Sequence, residues 1–218
     1  MAKRVGVVRF LGTNCDRDLW LANELMGLDP KWLWYEDQFD EKSVDAIMVP
    51  GGFSYGDYLR AGALAAKTPV MESVRRAASR GVPILGICNG FQVLCESRLL
   101  PGVLVQNTQM RFVDEWTTLK LENGNPHWGR SLKAGKQVTL PSAHGEGRYY
   151  AEDDEIQALF DQQQVWWSYG SNPNGSLRNI AGVMNKEKNV AGLMPHPERA
   201  MQEWMGGDEG RLFWEGLN

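Results

Sequence analysis

The chain has 218 residues, a formal net charge of −4 and 43% apolar residues. That length suits one sizeable core, and the small negative charge excludes the basic footprint of a nucleic-acid-binding protein. Three cysteines, an odd number without close pairing, argue against a disulfide framework and favour a reducing compartment. With no membrane-length apolar run and no recognisable signal peptide, we expect a cytoplasmic protein without a membrane partner. We predict a single domain of residues 1–218.

Short apolar runs alternate with helical patterns over the first half of the chain. Strands are predicted at residues 5–10, 31–35, 46–49 and 82–87. Helices are predicted around 70–80, after 91, and in a first helix that carries Leu19, Ala22, Leu25 and Met26 at helical spacing. The strand runs barely alternate in polarity, which is typical of a parallel sheet covered on both faces. Asn14 or Asp16 is expected to cap the first helix.

The middle of the chain has β-type stretches with little helical periodicity. They lie at 104–105, 111–113, 117–121 and 137–140 and indicate an antiparallel or mixed addition to the sheet. A helix at 152–160, a strand at 165–169, a hairpin of 180–185 with 190–194, and a final helix at 208–217 complete the pattern. The predicted fold class is α/β, an open, mostly parallel sheet flanked by helices with a small antiparallel portion.

The segment 83–92 is the most informative stretch of the chain. An apolar strand ends at Gly86, Cys88 follows, and Gly90 precedes a helical pattern. Glycines around a nucleophile allow a strained turn that projects the side chain outward. The following helix N-terminus favours the thiolate form. A cysteine after an apolar strand is more often merely buried, but the Gly-x-Cys-x-Gly frame favours a nucleophile.

A thiolate nucleophile usually needs a base and a group that orients the base. His196 follows the last strand pattern, with prolines on both sides and Glu198 two residues later. Since catalytic groups gather at the carboxyl ends of parallel strands, Cys88 and His196 can share one edge of the sheet. Cys95 is interpreted as a core residue, whereas Cys15, in a polar turn, is ambiguous.

A second candidate is the glycine-rich segment 50–57, which also follows a strand. Its backbone N–H groups can bind an anion and would serve as an oxyanion hole together with the amide of Asn89. A phosphate loop is disfavoured because the segment lacks the Gly-Lys-Ser/Thr and Gly-x-Gly-x-x-Gly patterns. A plain turn remains the simple alternative.

Taken together, these motifs resemble the class I (triad-type) glutamine amidotransferases. Residues 86–92 match that family's Gly-x-Cys-x-Gly-x-Gln elbow, and residues 196–198 match its His-x-Glu element. Within the class, four further segments resemble the glutaminase subunit of phosphoribosylformylglycinamidine synthase. They are residues 12–18, 51–62, 144–149 and 172–176.

The resemblance implies a role for each matched residue. Cys88 would attack the side-chain amide of glutamine, His196 would move protons, and Glu198 would orient His196. The amides of Gly52 and Asn89 are carried over as the oxyanion hole. The residues expected to contact substrate glutamine are Phe53, Gln92, His144 and Gly145.

The resemblance also implies partners. A separate large synthetase subunit would bind ATP and Mg²⁺ and use the ammonia to convert formylglycinamide ribonucleotide to formylglycinamidine ribonucleotide, in de novo purine synthesis. A small third subunit would bridge the two. No cofactor or metal is expected on this chain itself, and the isolated chain is expected to have little glutaminase activity.

Two other functions remain open on the sequence alone. One is a cysteine hydrolase that uses the same elbow on an ester, peptide or aldehyde, against which Gln92 and the His-Pro-Glu element argue. The other is a non-catalytic interaction domain, disfavoured because both Cys88 and His196 are present.

Overall fold

The computed structural model describes residues 2–217 of the chain. The helices are α1 (Asp16–Leu25), α2 (Pro69–Ser79), α3 (Asn89–Glu96) and α4 (Asp153–Asp161). The strands are β1 (Arg4–Arg9), β2 (Asp29–Trp34), β3 (Ala46–Val49), β4 (Ile84–Ile87), β5 (Val103–Val105), β6 (Val113–Leu121), β7 (Gln137–His144), β8 (Arg148–Tyr150), β9 (Val165–Tyr169), β10 (Ile180–Met184) and β11 (Val190–Leu193).

Within residues 2–217, one nine-stranded sheet runs in the order β2-β1-β3-β4-β11-β10-β9-β6-β7. Along this order, neighbouring strands are parallel from β2 through β1, β3 and β4 to β11. From β11 through β10, β9 and β6 to β7, neighbouring strands are antiparallel. A separate antiparallel pair joins β5 to β8. The predicted α/β class, with helices on a mostly parallel sheet and an added antiparallel portion, is confirmed.

The core lies between the parallel strands and the helices. Every residue of β3 and β4 is buried, as expected for strands that are covered on both faces. Helix α2 buries Val70, Val74 and Ala77, whose spacing places them on one face. The fold is therefore specified by continuous apolar strands and amphipathic helices, which leave the strand ends free to carry polar chemistry.

The prediction of a final helix at 208–217 is wrong. The segment forms a 3₁₀ helix over Glu209–Trp214 instead. The N–H of Gly210 donates to the carbonyl of Ala200, and a methyl group built on Gly210 would lie 1.9 Å from the carbonyl oxygen of Pro197. The segment therefore follows the backbone of residues 197–200, which a local helical pattern does not reveal.

Two smaller predictions also need correction, and one strand was missed. The residue that caps α1 is Cys15, without a side-chain cap bond, rather than Asn14 or Asp16. The predicted strand at 111–113 is largely loop, because the side chain of Asn107 binds the carbonyl of Arg111. Strand β8 was not predicted at all.

Among residues 2–217, no helix combines the length and apolarity required to cross a bilayer.

Candidate active site

The site forms where several strands end at one edge of the sheet. Cys88 follows β4, Gly51 follows β3, and His196 follows β11, the parallel neighbour of β4. Cys15 lies in the turn after β1, and His144 ends β7. The carboxyl ends of the parallel strands are where ligands bind in open α/β sheets.

The nucleophile elbow has the backbone that its glycine frame predicted. Cys88 has φ 50° and ψ −109°, a conformation that L-residues rarely adopt and that commonly marks a functional site. Cys88 stands immediately before α3, so the positive end of that helix adjoins its thiol. Its Sγ lies 3.6 Å from the carbonyl oxygen of Ala143. The turn thus presents a buried sulfur to the space between β4 and β7.

Gly90 allows the elbow to pack against β3. A methyl group built on Gly90 would lie 1.8 Å from the carbonyl oxygen of Val49. We expect Gly90→Ala to lower the free energy of unfolding by about 3 kcal/mol, the upper end of the usual cost of overpacking, because only backbone atoms oppose the new methyl group. Urea denaturation measures this change. Gly124→Ala is the matched control, since Gly124 is exposed and has one neighbour, at 3.9 Å, so a change within about 0.5 kcal/mol is expected. Equal stability of the two variants would contradict the argument.

His196 and Glu198 form a buried pair beside the elbow. Nδ1 of His196 lies 2.6 Å from Oε1 of Glu198, and the His196 N–H donates to the carbonyl of Pro141. Burial by itself would lower the pKa of His196, but the charges of Glu198 and the Cys88 thiolate outweigh it and hold that pKa well above its ordinary value. Nε2 has no hydrogen-bond partner among residues 2–217, so one ring nitrogen remains for catalysis.

Gly51 keeps the nucleophile and the base close together. A methyl group built on it would lie 2.8 Å from Cε1 of His196 and 3.4 Å from Cβ of Cys88. Any side chain at this position would therefore separate the two catalytic candidates. Glycine is required here by close approach rather than by backbone angle.

The peptide between Gly51 and Gly52 is oriented by the turn after β1. The Cys15 N–H donates to the carbonyl of Gly51 at 3.2 Å, and the Phe53 N–H donates to the carbonyl of Gly12 at 3.0 Å. Since the two ends of a trans peptide point in opposite directions, the Gly52 N–H points away from Cys15. Within residues 2–217, the N–H groups of Gly52 and Asn89 donate to no backbone carbonyl. Neither N–H is committed to a backbone acceptor, so both remain candidates for an oxyanion hole.

A cavity of about 200 Å³ is lined by Cys88, His196 and Gly52. The predicted substrate residues all line it: Phe53, Gln92, His144 and Gly145. The side chain of Gln92 accepts a hydrogen bond from Asn89 and donates one to the carbonyl of Glu146. Gln92 therefore also positions the loop that carries Glu146.

Cys15 is a residue of the site that the sequence left ambiguous. Its thiol lines the cavity, and the guanidinium of Arg199 donates to it at 3.1 Å. Ligand-type atoms of Cys15, His196 and Glu198 lie within 4.8 Å of one another. The group is poorly suited to a metal ion, because the Arg199 cation adjoins the thiol and Glu198 already binds Nδ1 of His196.

Two carboxylates in the cavity were also missed. Asp57 and Glu146 belong to segments that the sequence singled out for other reasons, the glycine-rich turn and the loop after His144. Burial, together with the charge of Glu146, raises the pKa of Asp57 to about 6. Their convergence depends on two loops that are distant in sequence, so no local spacing could have revealed it.

Comparison with known proteins first defines the class. The model of one family, described as the CobB/CobQ-like glutamine amidotransferase domain, matches residues 2–211. The chain therefore belongs to the glutamine amidotransferases. This result favours the amidotransferase interpretation over the cysteine hydrolase and the non-catalytic domain.

Curated relatives then narrow the family. Phosphoribosylformylglycinamidine synthase subunit PurQ of Methanosarcina mazei is 46% identical, over 98% of this chain and 96% of the relative. The PurQ subunit of Thermomicrobium roseum is 50% identical, over 95% and 92% respectively. The chain belongs to this PurQ family.

A solved structure of related sequence supports the same placement. A chain in the structure of PurLQS from Thermotoga maritima superimposes with a TM-score of 0.91 and is 42% identical. The match covers 100% of this chain and 98% of that one. This chain is therefore similar to that protein in both sequence and fold over its full length.

Proposed function

We propose that this chain is the glutaminase subunit of a phosphoribosylformylglycinamidine synthase, in which Cys88, His196 and Glu198 release ammonia from glutamine. One observation carries the assignment of these residues. The strained Cys88 elbow, His196 and Gly52 line a single cavity, while Glu198 binds His196 from behind and the Asn89 N–H directly follows Cys88 in the chain. This is the arrangement that acyl transfer from an amide requires.

In the first step, the Cys88 thiolate attacks the side-chain amide carbon of glutamine. A carbon–sulfur bond forms, and the carbonyl π electrons move onto oxygen, where the N–H groups of Gly52 and Asn89 stabilise the charge. Loss of one such donor typically costs about 3 kcal/mol of transition-state stabilisation. The His196 imidazolium then gives its proton to the nitrogen, the carbon–nitrogen bond breaks, and ammonia leaves a γ-glutamyl thioester.

In the second step, water attacks the thioester carbon. Neutral His196 takes a proton from the water, the carbon–sulfur bond breaks, and glutamate leaves as the thiolate and imidazolium are restored. Glu198 holds the ring of His196 in place and stabilises its charged form. The net reaction converts glutamine and water to glutamate and ammonia.

We further propose that the ATP-dependent step takes place on a partner. The relatives are named subunits of a synthase, which supports a division of labour between chains. The large synthetase subunit would bind ATP and Mg²⁺ and aminate formylglycinamide ribonucleotide, and a small subunit would bridge the two. We also propose a cytoplasmic location.

An electrophilic glutamine analogue tests the assignment of the thiol. We expect diazo-oxo-norleucine to label Cys88 in the assembled complex, to spare Cys15 and Cys95, and to be blocked by excess glutamine. Cys88 is the thiol at the elbow, whereas Cys95 is buried in the core and its pKa is raised well above the ordinary value by that burial. Peptide mass spectrometry locates the label. Labelling of Cys15 or Cys95 in place of Cys88 would overturn the proposal.

A further inference from the structure

The cavity holds negative charge that the hydrolysis of an amide does not require. Asp57 and Glu146 both line it, together with Cys88. Each carboxylate is partly buried, and neither takes part in an ion pair among the described residues. Two cationic side chains, Arg199 and His196, also line the cavity, but Arg199 is engaged by Asp18 and Cys15, and His196 is engaged by Glu198. Neither carboxylate therefore has a paired counter-charge among the described residues, which is unfavourable unless a cation joins them.

The carboxylate of Asp57 and the backbone that carries Glu146 are held in place by the surrounding structure. Asn89, the residue after the nucleophile, donates its side-chain amide to Asp57 at 3.3 Å. The loop of Glu146 is fixed on both sides, because Gln92 binds the Glu146 carbonyl and Asn107 binds the N–H of Gly147. These bonds fix the Asp57 carboxylate and the backbone of Glu146 before any ligand arrives.

The bracing extends to a motif that catalysis leaves unexplained. Asn174, in the turn of residues 172–176, donates to the carbonyl of Gly147 at 2.8 Å. The Asn107 side chain also donates to the carbonyl of His144 at 2.9 Å. The loop of residues 144–147 is therefore anchored at each end by a buried asparagine, so the fold fixes the backbone position of Glu146.

An independent observation shows that a polar ligand belongs in the same cavity. His144 lines it, has only 3% of its surface exposed, and has no partner for either ring nitrogen within residues 2–217. Burial, with the nearby charge of His196, lowers the pKa of His144 to about 4, so the ring is neutral and offers one donor and one acceptor. Unpaired buried polar atoms are costly, and a bound molecule with hydrogen-bonding groups would satisfy them.

We propose that Asp57 and Glu146 bind the α-ammonium group of glutamine, an inference that rests on the proposed glutaminase function. This contact would select a free amino acid over other primary amides. Four bonds separate the amide carbon of glutamine from its α-nitrogen, a reach of roughly 5 Å at about 1.5 Å per bond. Asp57 and Glu146 line the same small cavity as Cys88, so a glutamine whose amide reaches the thiol also has its α-nitrogen inside that cavity. The His144 ring supplies the uncharged partner for the remaining polar atoms of the amino acid.

The test compares glutamine with glutaramate, which lacks only the α-amino group. The assembled complex carries Cys88→Ala, so that equilibrium binding is measured without turnover, and Asp57→Asn or Glu146→Gln is added. We expect each added change to raise the Kd for glutamine at least tenfold and the Kd for glutaramate less than twofold. Asp154→Asn, which removes an exposed carboxylate from α4, is the matched control and should alter neither.

The outcomes separate this inference from the proposed function. Unchanged Kd values, or equal weakening for both amides, would overturn the α-ammonium site while leaving the glutaminase assignment intact. Failure of the Asp57 or Glu146 variants to join the complex would assign the carboxylates to the subunit interface and would also overturn it. Absence of glutamine binding to the Cys88→Ala complex itself would overturn the proposed function.

Discussion

We expect Cys88→Ala to abolish glutamine-dependent synthesis by the assembled complex, whereas ammonium salts should still support it. Removal of a catalytic nucleophile typically lowers kcat by about four to six orders of magnitude. Added ammonia bypasses the thioester entirely, because the amination takes place on the synthetase. Steady-state product formation with each nitrogen source, at saturating ATP, measures both effects.

Cys95→Ala is the matched control for this experiment. It removes a thiol from α3, the helix that follows Cys88, but Cys95 is buried in the core and contacts the carbonyl of Pro101 rather than the cavity. We expect its glutamine-dependent rate to remain close to wild type. Equal loss with glutamine and with ammonium in Cys88→Ala would contradict the assignment, since it would indicate a damaged complex.

Glu198→Gln is expected to lower glutamine-dependent kcat by about two to four orders of magnitude, by analogy with loss of the orienting carboxylate in other triads. The substitution keeps the size of the side chain but removes the charge that helps hold the pKa of His196 above its ordinary value. Burial then dominates and the pKa of His196 falls. Because the imidazolium donates the proton to the leaving ammonia, activity on the alkaline side should begin to decline at a lower pH than in wild type.

The pH–rate profile distinguishes this role from a structural one. A variant that only destabilises the fold would lose activity without a shift of the alkaline limb. Glu203→Gln serves as the control, because Glu203 is an exposed carboxylate outside the cavity. An unshifted alkaline limb in Glu198→Gln would contradict the role proposed for this carboxylate.

Much of the fold and the main catalytic candidates follow from local patterns. The strand at 46–49 and the strand at 165–169 have the predicted bounds, and the other main-sheet strands of the first half lie within two residues of theirs at each end. These segments are continuous apolar runs, for which burial on both faces leaves little choice of structure. The elbow is also predictable from local sequence. Gly86 and Gly90 lie two residues before and after Cys88, and glycine permits a strained turn that other residues disfavour.

Prediction failed where distant backbone decides the local structure. The segment 208–217 has helical spacing, yet its close approach to residues 197–200 is compatible only with a tight 3₁₀ path. Arg111 lies in a loop because a side chain from Asn107 takes its carbonyl. Such hydrogen bonds replace the ladder or helix partners that a local pattern assumes.

The sequence by itself determined the class of chemistry, a cysteine nucleophile with a histidine base. The Cys88 elbow and the His196-Pro197-Glu198 element are each a short continuous segment, so each can be recognised without the fold. Only the tertiary structure decided which other groups join them. It places Cys15 against His196 and Arg199, and it brings Asp57 and Glu146 into one cavity. The physical reason is that parallel strands deliver their carboxyl ends to a common edge, and the neighbours across that edge are set by strand order rather than by sequence distance.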